Sequence, residues 1–109
     1  MGRLTPKPEL MPLTLADFRA SLAAPAPPPL TPALQALWRD AKGDWDGAHK
    51  CVDERDESDS MWAHAYLHRK EGDLWNARYW YARAGRPPQD GPLDAEWAEI
   101  ATALLAALP

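Results

Sequence analysis

Residues 71–85 read EGDLWNARYWYARAG. Gly72 followed by Asp73 is a stop and a start, because glycine accepts the left-handed turn that ends one helix and an aspartate side chain caps the next. Leu74, Ala77, Tyr81 and Ala84 then recur at helical spacing until Gly85 closes the segment. The stretch therefore predicts one helix ending at Glu71 and a second running from Leu74 to Ala84, joined too tightly to be anything but neighbours.

Working outward toward the N-terminus, residues 60–71 predict the preceding helix, with Ser58 or Asp59 as its cap. The acidic run 53–59 (DERDESD) reads as a solvated loop. Asp44 caps another helix that carries Trp45, Ala48 and Val52 on one face, with Cys51 beside them. Before it, Thr31 and Pro32 open a helix whose Leu34, Leu37, Trp38 and Ala41 form a stripe up to Gly43. Residues 24–32 (APAPPPLTP) are a stiff polyproline-like connector. Thr14 and Asp17 have capping-box spacing ahead of Leu15, Phe18 and Leu22, a short helix that stops before Pro25. Residues 1–13 hold three prolines without helical period and read as an extended arm from which Leu10, Met11 and Leu13 can dock. On the other side of the opening stretch, residues 86–92 (RPPQDGP) form a rigid loop before a last helix with Leu93, Trp97, Ile100, Leu104 and Leu108 on one face. Its acids sit toward the N-terminal end, where the helix dipole favours them.

Composition agrees with this reading. Of 109 residues 20 are Ala and 14 Leu, whereas Val, Ile and Thr together number six, which excludes a sheet-rich fold. The expectation is a single all-α domain over residues 14–109, a short stack of helical hairpins with five to six helices, a Pro-rich connector and a C-terminal capping helix. A net charge of −4 supplies no positive field for nucleic acid or anionic membranes, and no apolar run has the length of a membrane span. The charge is unevenly placed: residues 61–86 carry five Lys/Arg against two acids. Lone Cys51 precludes an internal disulfide and no apolar signal segment follows Met1, which together point to a reducing, cytoplasmic setting.

Gly43, Asp44 and Ala48 match Gly72, Asp73 and Ala77 at an offset of 29 residues, so the chain repeats a helical hairpin. On these residues, with Tyr81 and Ala84, the sequence resembles the tetratricopeptide family over residues 33–86. The period is shorter than the family's, and the first helices place Met61, His64, Ala65 and His68 where the family packs apolar residues. The stretch AHAYLHRKEGDLWNARYWYARAGRP also resembles one found in small bacterial proteins. The resemblance implies a stacked-hairpin fold and carries no activity.

Two groups of residues stand out as functional candidates. His64, His68 and Glu71 fall at i, i+4 and i+7 on one helix face, and His49 lies on the helix before, so a divalent metal ion could be held if the two helices pack side by side. The competing reading makes these histidines polar residues of the interior, bonded to groups such as Asn76 and Tyr66. That helix has two apolar faces, through Ala63, Tyr66 and Leu67 and through Met61 and Ala65, which places it at the centre of the bundle. The second group is Trp62, Trp75, Tyr79, Trp80 and Arg78, more aromatic and arginine side chain than one core stripe needs, and of the types that dominate binding hot spots. The primary expectation is a non-enzymatic module that recognises a protein or peptide, or pairs with itself as a homodimer. The alternative is a metal- or small-ligand-binding protein, extending to a hydrolase.

Overall fold

A computed structural model describes residues 13–109, and in it the chain is all-helical. The six helices are α1 (Leu15–Ala20), α2 (Pro32–Ala41), α3 (Trp45–Val52), α4 (Ser58–Glu71), α5 (Leu74–Ala84) and α6 (Leu93–Ala106), and there is no strand among the described residues. The expected arm lies outside the described residues except for Leu13, which packs against the core.

Local signals account for most boundaries. The Thr14 hydroxyl accepts from the Asp17 amide while the Asp17 carboxylate accepts from the Thr14 amide, a complete capping box. Thr31 caps α2, Asp44 caps α3 and Asp73 caps α5, each accepting the amide three residues on. Gly43 and Gly72 hold φ of +85° and +91°, a conformation that side chains rarely adopt, and this lets the two hairpins reverse in three and two residues. α2 packs against α3 and α4 against α5, and α4 also touches α2, α3 and α6.

The structure corrects three details. α4 begins at Ser58 with Glu57 at the cap, two residues before the expected start, and the Ser58 hydroxyl donates to the Ala84 carbonyl at 2.8 Å, tying this first turn to the end of α5. On α2, Ala41 is exposed, while Ala33, Ala36 and Asp40 are buried beside Leu34, Leu37 and Trp38. The buried face is wider than one stripe because α3, α4 and α6 all lean on this helix. α6 ends at Ala106, so Leu108 reaches the core from beyond the helix.

Polar pins fix the packing. Lys42 Nζ donates to the Leu22 carbonyl at 2.6 Å and Trp38 Nε1 to Ser21 Oγ at 3.1 Å, tying the turn after α1 to α2. Trp97 Nε1 donates to the Leu37 carbonyl at 2.9 Å, joining α6 to α2. Glu96, expected only as an acid near the start of α6, is buried and accepts from Arg69 Nη1 at 2.8 Å and from the Tyr81 hydroxyl. Removing one member of a buried charged pair leaves the other unsatisfied. Glu96→Ala is expected to cost about 3 kcal/mol in chemical denaturation, and Tyr81→Phe, which leaves the ion pair intact, about 1 kcal/mol.

Candidate metal centre

α3 places Trp45, His49 and Asp53 at i, i+4 and i+8, and α4 places His64 and His68 at i and i+4. Because the two helices pack together, the three imidazoles meet. His49 Nε2 lies 3.0 Å from His64 Nε2, and one ligand nitrogen from each of His49, His64 and His68 falls within 4.8 Å of the others. A tetrahedral zinc with bonds near 2.1 Å would hold such nitrogens about 3.4 Å apart.

Carboxylates approach two of the rings at Nδ1. His68 Nδ1 is 2.6 Å from Glu71 Oε2, and His49 Nδ1 is 3.9 Å from Asp53 Oδ2. Only His68 is hydrogen-bonded at Nδ1, the arrangement by which a carboxylate orients a metal-binding histidine, while Asp53 stays beyond hydrogen-bond reach of His49. Glu71 thus stands at Nδ1 of His68, outside the group formed by the three imidazoles. A second group, His68, Glu71 and Asp73, has its ligand atoms equally close, but both acids are exposed.

Two indoles wall the cluster. Trp45 stacks on His49 with centroids 4.9 Å apart, and its Nε1 donates to the Leu67 carbonyl at 2.8 Å, which locks the ring against α4. Trp80, from α5, stacks on His64 with centroids 4.1 Å apart. His64 is only 3% exposed and His68 6%. Burial, then the charges of His68 and His49, depresses the His64 pKa to about 3, and burial also lowers that of His49. At neutral pH both are neutral imidazoles, the form that binds metal. The Nδ1 of His64 is buried with no hydrogen-bond partner. The alternative partners fail on geometry: Asn76 bonds Asp73, and the Tyr66 hydroxyl bonds Asp40.

The aromatic candidates divide. Trp62 is buried, with the Arg86 guanidinium 3.7 Å from its ring centroid, and it is a core residue, not part of an exposed binding face. Trp80 belongs to the histidine cluster, and Trp75, Tyr79 and Arg78 are exposed on α5. Trp45 and Asp53 were not singled out by sequence, although their four-residue spacing about His49 is a readable signal.

No protein-family model, curated protein or solved structure matches this chain. No helix among the described residues is long and apolar enough to cross a membrane.

The depressed His64 pKa makes stability depend on pH in a fixed direction. The unfolded chain, with an ordinary histidine pKa of about 6.5, binds the proton that the folded site refuses, so stability is full above that value and falls as pH drops toward 3. In metal-free protein the loss between pH 7 and pH 4 is expected to reach about 3 kcal/mol, and His64→Gln is expected to flatten the slope in urea titrations run at each pH.

Proposed function

We propose that the protein binds a divalent metal ion, zinc by the chemistry of its donors, through Nε2 of His49, His64 and His68. The observation that carries this reading is the convergence of three imidazoles from two helices, one of them held at Nδ1 by a carboxylate and another, His64, keeping a buried nitrogen without a partner. Sites of this kind are built in helical bundles from side chains that face one another across packed helices. Three protein nitrogens leave a tetrahedral ion one open position, where a bound water has its pKa lowered to about 7. A hydrolytic role is the chemistry such a position would support. The two hairpins are read as tetratricopeptide-like scaffolding around this centre, and lone Cys51 as fitting a reducing cytoplasm.

The test is zinc titration of metal-stripped protein purified without a histidine tag, using a chromophoric chelator as competitor. One zinc per chain is expected, with cobalt substitution giving the visible absorption of a tetrahedral, nitrogen-rich site. His64→Ala and His68→Ala should each abolish stoichiometric binding, while Glu71→Gln, which removes only the carboxylate behind His68, should weaken it by about 10- to 100-fold. Failure of wild-type protein to take up zinc, or uptake unchanged by His64→Ala, would leave the imidazoles as a polar lock between α3 and α4.

A further inference from the structure

α5 leans on α4 and leaves its opposite face uncovered. Leu74, Trp75 and Tyr79, which are 53%, 76% and 48% exposed, are the exposed large hydrophobics of the described residues, and all three lie on this helix. Trp75 and Tyr79, at i and i+4, stack with centroids 6.5 Å apart, and Tyr79 meets Trp80 edge-on at 5.1 Å. The exposed ladder thus runs without a break to the indole that covers His64. An apolar surface gathered on one helix, in a chain that otherwise buries its large side chains, marks an interaction site.

Charge says what kind of partner fits. α5 contains Arg78 and Arg83 and no acid, within a chain that has 16 acids against 12 Lys/Arg. Among the other basic side chains of the described residues, Arg39 reaches Asp44, Arg55 Glu57, Arg69 Glu96 and Lys70 Asp40, whereas Arg19, Lys42 and Arg86 lie over Trp97, Trp38 and Trp62. Neither Arg78 nor Arg83 pairs with a carboxylate among the described residues. Instead the Arg83 guanidinium sits over the rings of Tyr79 and Trp80, 5.8 and 5.1 Å from their centroids. A guanidinium held by aromatic rings and not by an acid keeps its N–H groups for a carboxylate from outside.

From this geometry we infer that the outer face of α5 docks an acidic peptide segment of another protein, with an apolar side chain seated on Trp75 and Tyr79 and flanking carboxylates taken by Arg78 and Arg83. A second copy of the chain fits less well, because a two-fold pairing of α5 with itself sets arginine against arginine and brings together two molecules of net charge −4. An anionic membrane fits less well too, since stable electrostatic anchoring draws on about 4–8 clustered basic residues. The inference does not depend on the metal centre.

A random library of short peptides displayed on phage, selected on the immobilised full chain, tests it. Enriched peptides are expected to carry excess Asp and Glu around an apolar residue. Resynthesised, they should bind Trp75→Ala and the double variant Arg78→Glu, Arg83→Glu at least about tenfold more weakly than wild type. All three positions are exposed, so circular dichroism should show unchanged helix content. Neutral or basic winners, no enrichment, or equal affinity for the variants would overturn the proposal. So would a concentration-dependent rise in mass abolished by Trp75→Ala, which would assign the face to a second copy, or Arg-dependent sedimentation with phosphatidylserine vesicles, which would assign it to lipid. Zinc stoichiometry should be the same in every variant, separating failure here from failure of the metal reading.

Discussion

α4 is covered on both sides, and the rest of the structure depends on that. Every residue from Ser60 to His68 is buried, nine in succession, which an amphipathic surface helix never does. α4 packs against α5, α2, α3 and α6, and α2 in turn carries α3 and α6, so four of the other five helices meet on it. The cost of such a position is that polar side chains on it lose water. Small residues at Ala63 and Ala65 let the neighbouring helices approach, and the larger Tyr66, Leu67 and Trp62 fill the space between them.

The polar side chains at this centre fall into two groups by how fully their hydrogen-bonding needs are met. Asp40 is buried and fully used, its two oxygens taken by the Tyr66 hydroxyl and Lys70. Glu96 is buried and its two oxygens are taken by Tyr81 and Arg69. These groups are satisfied networks that specify how α2, α5 and α6 sit on α4. The histidine cluster differs. Its closest contact joins two like nitrogens, only one of which can carry the hydrogen, and His64 retains a buried nitrogen with no partner. The fold thus meets the needs of two buried carboxylates completely and leaves one imidazole nitrogen unmet, which is the contrast on which the proposed metal reading rests.

The helices were legible because their ends are written in single residues. Gly43 and Gly72 with their following aspartates, the Thr14 box and the Thr31–Pro32 start each act within three or four positions, and local chemistry of that range survives in any tertiary setting. The reading slips at the start of α4, whose first residue, Ser58, bonds distant Ala84. The same limit governs the site. The i, i+4 relation of His64 and His68 is visible in the sequence, and the approach of His49 follows once α3 and α4 pack. The pairing of Trp80 with His64 was out of reach, since it depends on how α5 rotates on α4. Trp62 was assigned outward for a related reason, because α4 has no polar face from which to judge direction.

α4 and α5 also divide the work of the molecule. On the inner helix, desolvation keeps the His64 imidazole neutral. On the outer one, a face without acids and without covering chain leaves aromatic rings and guanidinium groups available to solvent and to whatever matches them. Trp80 belongs to both, one face against His64 and one edge against Tyr79. Trp80 is therefore the one ring through which an occupant of the proposed outer face and an occupant of the proposed centre would both be in contact. Any energetic coupling between the two would be reciprocal, each occupant changing the other's affinity by the same factor.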